Sequence, residues 1–288
     1  MKCLGYDTIY WYGGNASYSN FDHFGKAQGF DCVESASVFC GPDTPKTWAG
    51  VYDHVFLEHI EVKIKSLENP TFHFIYTTSN HGPYKMEDSL LDYDSEQVMP
   101  NLGDDLKSNK KRNKELATYR YSDKAIFNFV NAIKAAFPDS LFVVTGDHSN
   151  LFSQFNNTSF LYCDYTMREI CNTVFYMQHP ELSQTSLPAS IGIHLSIMPT
   201  IIEAITPKGF EYYAAVPSAF DEQPDVHVTS YQWITSDMVG DVLGDYGQYQ
   251  TYTAEPSEYI RPIDNHVQDA EYWRSLSVWM MKFYANVQ

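Results

Sequence analysis

The chain has 288 residues, 44% of them hydrophobic and 16% aromatic, which is enough to fill a substantial core and excludes a disordered polypeptide. A formal net charge of −17 disfavours a surface built to neutralise phosphates, so nucleic acid is not an expected partner. No run of about 18 apolar residues occurs, and residues 1–30 lack the basic start and apolar stretch of a signal peptide, so no membrane span or targeting segment is read in this chain.

In chain order, Asp7 to Tyr12 (DTIYWY) is β-branched and aromatic and stops at Gly13-Gly14, so it predicts a strand feeding a loop. Tyr52 to Ser66 reads as a helix and Thr71 to Thr78 (TFHFIYTT) as a strand. The one basic cluster, Lys107 to Lys114, reads as a solvated loop beside the acidic stretch Glu87 to Asp105. From Ser122 to Ala136, apolar residues at Ala125, Ile126, Phe129, Val130 and Ile133 share one helical face, and Pro138 ends it. Leu141 to Thr145 (LFVVT) is short and apolar in the manner of a buried parallel strand. A strand over Thr173 to Gln178 and a helix over Ile197 to Ile205 continue the alternation, which implies a mostly parallel sheet flanked by helices. After Pro207 the texture becomes rich in Tyr and Gly around Phe210 to Tyr213 and Tyr231 to Thr235. That predicts a small antiparallel appendage, followed by a terminal helix from about His266. Two regions result, an α/β core over residues 1–206 and a C-terminal segment over 207–288. Five cysteines show no zinc spacing; Cys32 with Cys40, or Cys163 with Cys171, are in reach of small disulfide loops, and buried free thiols are the equal alternative.

Ligands of open α/β sheets bind beyond the carboxyl ends of the strands, where this chain carries Tyr12-Gly13-Gly14, Ser79-Asn80-His81 and Gly146-Asp147-His148. In the last, a glycine lets the chain turn off the strand, so that Asp147 and His148 project together as oxygen and nitrogen donors for a divalent metal; an Asp-His pair capping a helix is the plain alternative. His81 sits at a loop tip fixed by Gly82-Pro83. An imidazole there is able to hydrogen-bond a phosphate or sulfate oxygen or to protonate a leaving group, although a lone histidine is more often structural.

These segments, in this order, resemble the sulfatase family of the alkaline phosphatase superfamily, within it the lipoteichoic acid synthase and phosphoglycerol transferase branch. The resemblance rests on Gly5-Tyr6-Asp7-Thr8, Tyr12-Gly13-Gly14, Asn20, Gly29-Phe30-Asp31, Trp48-Ala49-Gly50-Val51-Tyr52-Asp53, Thr77 to Tyr84, Tyr121-Ser122-Asp123, Gly146-Asp147-His148-Ser149 and Met198-Pro199-Thr200. It implies an alkaline-phosphatase-like sandwich, with Asp147 and His148 as ligands of a divalent ion (Mn²⁺, Mg²⁺ or Ca²⁺) and His81 as a substrate contact. Asn80, Asn15 and Asn20 are further candidate substrate contacts. In the family, a nucleophile and an acidic metal ligand lie upstream of the strand that opens this chain. No Ser, Thr or Cys here is therefore assigned as nucleophile, and the N-terminal part of the core is expected to be missing. Glycerol-phosphate-handling relatives carry an Asp after the first glycine, and Trp and Arg flanking the Asn, where this chain has Gly14, Ser19 and Phe21. Ser196 stands where relatives usually have Asp, and His194, two residues upstream, reads as an ordinary helix-start histidine in preference to a compensating group.

The expected function is the C-terminal part of a metal-dependent phosphoglycerol or phosphoethanolamine transferase or hydrolase. Its substrate would be a phosphate diester of the lipid- or glycan-linked kind, and its place the extracytoplasmic face of the cell envelope. A sulfatase acting on sulfate esters and a truncated, inactive fold remnant are the alternatives.

Overall fold

The first strand sets the architecture. β1 (Asp7–Tyr12) alternates its side chains across the sheet, and both sets are apolar or aromatic, so it must be covered on both faces. The computed structural model describes residues 1–91, 108–148, 173–182, 192–224, 226–228, 232–235, 238–241, 249–251, 268–269, 271–272 and 275. After β1 come α1 (Phe21–Ala27), β2 (Cys32–Ser35), α2 (Ala36–Phe39), α3 (Asp53–Lys65), β3 (Thr71–Tyr76), α4 (Lys110–Ala136), β4 (Phe142–Thr145), β5 (Phe175–Gln178) and α5 (Ile197–Ile205). β6 (His227–Val228), β7 (Gln232–Ile234), β8 (Met238–Asp241) and β9 (Tyr249–Thr251) close the series. Two compact units are present, one holding residues 1–145 and 175–180, the other residues 146–148, 173–174 and the chain from 181 onward.

In the first unit β1 is the middle strand of a parallel sheet, β2-β1-β3. Trp11 enters a core with Ala36, Val51, Phe56, Leu57, Ile60 and Ala125, from α2, α3, α4 and the loop before α3. Tyr10 and Tyr12 face the other way, into Phe21, Phe30 and Val33. The register makes ring stacks of cross-strand pairs: Tyr10 opposes Phe74 with centroids 5.1 Å apart, and Tyr12 opposes Tyr76 at 5.6 Å. β4 and β5 form an antiparallel pair in the same unit. The second unit contains α5 and a four-stranded antiparallel sheet in the order β6-β7-β8-β9.

Most of the predicted strands and helices of the first 206 residues are present, with informative differences. The expected strand Thr71 to Thr78 stops at Tyr76, because the amides of Thr78 and Ser79 are claimed by a side chain, Asp53, instead of a neighbouring strand. α4 begins at Lys110, twelve residues before the predicted start, so the basic residues from Lys110 to Lys114 are its opening turns and not a loop. The buried stripe of that extension is Glu115, Ala117, Thr118, Tyr121 and Ser122, mostly polar or small, so a count of apolar periodicity does not register it. β4 was expected to be parallel; its described partner, β5, is antiparallel. Phe210–Tyr213 carries no strand, and the Tyr212 hydroxyl instead donates to Glu203 Oε1 at 2.9 Å. Cys3, Cys32 and Cys40 are free thiols, so Cys32 and Cys40 are not bridged, while Cys163 and Cys171 lie outside the described residues. The predicted terminal helix falls largely outside them too. Among the described residues no helix is long and apolar enough to cross a membrane.

One contact inside the parallel sheet titrates. Trp11 Nε1 donates to His73 Nδ1 at 3.1 Å, so the imidazole is held neutral as an acceptor, and burial pushes its pKa down from 6.5 to about 4. Because the folded form binds this proton more weakly, the contribution is whole above pH 6.5 and is withdrawn as pH falls toward 4. At full effect it amounts to about 2 to 3 kcal/mol. Urea unfolding at pH 7 and pH 4.5 should show this loss, and His73→Gln, which keeps an acceptor for Trp11 but cannot gain a proton, should lose less over the same interval. Equal losses in the two proteins would refute the assignment.

Candidate functional site

The segment after β3 is built around Asp53, the first residue of α3 and fully buried. Its Oδ1 accepts the backbone N–H groups of Thr78 at 3.1 Å and Ser79 at 3.0 Å, and its Oδ2 accepts the Ser122 hydroxyl of α4 at 3.0 Å. In return the Asp53 N–H donates to Ser79 Oγ at 2.8 Å. Burial raises the carboxyl pKa, and the donated hydrogen bonds oppose that shift. Beside it the Tyr121 hydroxyl lies 2.6 Å from His54 Nδ1 and accepts the His54 N–H at 3.2 Å, and burial drives the phenol pKa far upward. Gly50 is needed at this junction, since a Cβ there would stand 2.3 Å from both the Gly13 carbonyl oxygen and Thr78 Oγ1. The far end of the loop is held by Met86, packed against Tyr52 and Tyr121.

Between those anchors Asn80 and His81 are exposed. His81 Nδ1 lies 2.8 Å from the Gly82 carbonyl oxygen, which can only accept, so the proton is on Nδ1 and Nε2 is left for a ligand. Asn15 is exposed as well, and its Oδ1 accepts both the N–H and the hydroxyl of Ser17, an Asx turn that leaves the amide nitrogen as its outward donor. Asn20 takes the left-handed conformation, φ 58°, at the start of α1, a backbone role that Asn tolerates better than most residues; its exposed side chain makes no capping bond. At two of the positions where the resemblance implies other residues, the structure shows what the present ones do. A side chain at Gly14 would meet the Ala49 carbonyl oxygen at 2.7 Å, and Phe21 is committed to the Tyr12 and Tyr76 rings.

In the second unit, Gly146, Asp147 and His148 follow directly on the end of β4. A Cβ at Gly146 would come within 2.3 Å of Thr173 Oγ1, so a side chain there would oblige that hydroxyl to turn away. Asp147 Oδ1 accepts the His148 N–H at 2.8 Å, and Asp147 Oδ2 lies 3.5 Å from His148 Nε2 with both side chains about half exposed. The carboxylate and the imidazole therefore point the same way, as the turn was predicted to make them do. Adjacent donors about 2.1 Å from a shared ion are separated by about 3.0 Å in octahedral and about 3.4 Å in tetrahedral geometry, so the pair is close enough to approach one divalent cation together. Among the described residues no group of three or more His, Cys, Asp or Glu side chains is placed to hold a metal. His194 opens a 3₁₀ turn before α5, as expected of a helix-start histidine, but its Nε2 also donates to the Gly146 carbonyl oxygen at 2.7 Å. That contact to the turn at Gly146 had no signal in the local sequence. His81 belongs to the first unit and Asp147 with His148 to the second.

A family model described as Sulfatase matches residues 1–188. The chain belongs to the sulfatase family. Among curated sulfatase-family relatives, lipoteichoic acid synthase-like YvgJ of Bacillus subtilis (strain 168) is 26% identical over 270 residues, a match covering 85% of this chain and 41% of the relative. Lipoteichoic acid synthase 1 of the same organism is 25% identical over 154 residues, 53% of this chain and 23% of the relative. This chain thus spans about two fifths of the length of the first of these relatives. Among solved structures, lipoteichoic acid synthase LtaP from Listeria monocytogenes superposes with a TM-score of 0.71 at 18% identity, covering 99% of this chain and 72% of that one. An alkaline phosphatase superfamily protein from Vibrio parahaemolyticus gives 0.66 at 20% identity, covering 98% and 67%. The fold is alkaline-phosphatase-like.

The Asp53 network predicts a graded response. Asp53→Ala strips the acceptor from two buried amides and a hydroxyl and should cost about 3 kcal/mol or more, whereas Asp53→Asn keeps one acceptor oxygen and should cost about 1 kcal/mol. Urea unfolding compares them; equal losses would mean that the amides of Thr78 and Ser79 do not depend on this oxygen.

Proposed function

We propose that this chain forms part of an enzyme that transfers or hydrolyses phosphodiester-linked headgroups, of the phosphoglycerol or phosphoethanolamine class, on lipid- or glycan-linked substrates at the extracytoplasmic face of the cell envelope. The observation that carries the reading is the turn after β4, on which Asp147 and His148 present donors 3.5 Å apart. Asp147 and His148 would hold a divalent cation, of which Mn²⁺, Mg²⁺ and Ca²⁺ are the candidates, and the ion when bound polarises a phosphoryl oxygen. The carboxylate supplies charge and one donor, the imidazole the second, and the His194 contact to the Gly146 carbonyl holds the turn that carries both.

His81 would meet the substrate from the loop after β3. Its bare Nε2 takes up a proton and offers it to a phosphate oxygen or a leaving alkoxide. Asn80, and the amide nitrogens of Asn15 and Asn20, are the neutral donors of the same unit. None of them reproduces a guanidinium's two-point grip on phosphate, and Gly14 and Phe21 close the positions at which the resemblance would place Asp and Arg. Recognition of the headgroup in this protein therefore relies on other groups than in glycerol-phosphate-handling relatives. The nucleophile is not among the residues assigned here. A phosphodiester is preferred to a sulfate ester because the sequence relatives include a lipoteichoic acid synthase and a lipoteichoic acid synthase-like protein.

Mn²⁺ titrated calorimetrically into the chain should bind weakly, because two protein donors leave most of the shell to water. Asp147→Asn and His148→Ala should each weaken binding by about ten-fold or more. The same affinity in all three proteins would remove the pair from the metal's shell.

A further inference from the structure

Trp48 is an unusual side chain to find in the open. It is 59% exposed, yet its ring lies edge-to-face on the His81 imidazole with centroids 4.9 Å apart at 80°. Its indole Nε1–H donates to the Gly82 carbonyl oxygen at 2.8 Å. The same oxygen accepts from His81 Nδ1, also at 2.8 Å. One carbonyl therefore serves two ring donors. The His81 carbonyl in turn accepts the Tyr84 N–H at 3.1 Å, which winds the loop back on itself.

From this geometry we infer that Trp48 is a positioning residue for His81: by holding the Gly82 carbonyl it fixes the imidazole as its Nδ1–H tautomer and turns Nε2 toward a phosphate-bearing ligand. The Gly82 carbonyl sits in an exposed loop. With one donor alone it is free to turn to water and take the imidazole with it, whereas the indole, carried on the separate segment that precedes α3, pins it from outside the loop. The ring contact adds a second restraint, worth little by itself but directional. The tautomer matters because a neutral imidazole protonated on Nδ1 presents a bare nitrogen outward, and on gaining a proton donates from that same nitrogen. The alternative tautomer presents a donor that is always occupied and cannot receive a proton from that side. The inference rests on the reading of His81 as a substrate contact for its functional meaning, but the tautomer itself is independent of that reading.

Two variants separate the restraints. Trp48→Phe keeps an aromatic ring beside His81 and removes the N–H, and Trp48→Ala removes both; the exposure of the site makes either compatible with folding. Long-range ¹H–¹⁵N correlation spectra of the imidazole nitrogens, recorded where His81 is neutral, should show the wild-type ring as Nδ1–H, a mixture with Nε2–H in Trp48→Phe, and a larger departure in Trp48→Ala. A purely structural tryptophan would leave these nitrogen shifts in place. The second measurement is the affinity for sn-glycerol 1-phosphate by ligand-detected NMR in the presence of Mn²⁺. Trp48→Phe should lower it by about three- to ten-fold, in the direction of His81→Ala but short of it. If the tautomer is unchanged in both variants, the positioning role is overturned. If the tautomer moves and neither Trp48→Phe nor His81→Ala changes the affinity, the positioning role stands and the reading of His81 as a substrate contact falls.

Discussion

A single buried carboxylate organises the first unit. Asp53 stands at the start of α3, where the helix dipole favours negative charge, and every polar contact it makes reaches a different element: the chain after β3 through two amides, α4 through Ser122. Removing a carboxylate from water is costly unless its oxygens are satisfied, so the three donors are a condition for this packing and cannot be treated as decoration. The consequence is geometric. The amides of Thr78 and Ser79 leave the sheet's ladder, β3 stops at Tyr76, and the chain turns out at that point to carry Asn80 and His81 into the open.

The family motifs then divide into residues that tie elements together and residues left at the surface. Thr8 and Asp31 tie the start of β1 to the start of β2 through hydrogen bonds of 2.8 to 3.0 Å. Tyr121 and Ser122 tie α4 to α3, and Thr200 bridges Ser196 to Ala219 in the second unit. All of these residues already have partners and all but Asp31 are buried or half-buried, so they shape the scaffold. Exposed at loop tips and turns are Asn20, Trp48, Asn80 and His81 in the first unit and Asp147 and His148 after β4. Binding groups are commonly carried on the connections between rigid elements, and here the loop after β3 is held by the contacts of Asp53 and Met86.

Much of this was legible in the residues alone. DTIYWY could hardly be anything but a two-faced strand, and Ile197 to Ile205 is apolar enough to declare a helix. The turn at Gly146 was readable because a glycine at the end of an apolar strand lets the chain leave it, and Asp147 Oδ2 and His148 Nε2 lie 3.5 Å apart beyond it. Three features were not readable. The first half of α4 buries Glu115, Thr118 and Ser122, whose polarity hides a helical face, and it opens on like charges at the unfavourable end of the dipole. The antiparallel partner of β4 depends on long-range pairing that a short apolar run does not encode. The contacts of Asp53 to Ser122 and of His194 to Gly146 join residues 69 and 48 positions apart, and no local pattern announces them.

Native-state hydrogen exchange tests the role of Asp53 most directly, because it reads individual amides without mutation. If the carboxylate is the hub of the first unit, the N–H groups of Thr78 and Ser79 should exchange as slowly as that of Gly13, which bonds to the Tyr76 carbonyl at the end of the sheet, while Asn80 exchanges rapidly. Exchange of Thr78 and Ser79 at the rate of Asn80 would contradict the account, since the loop would then open without reference to the carboxylate that is held here to fix it.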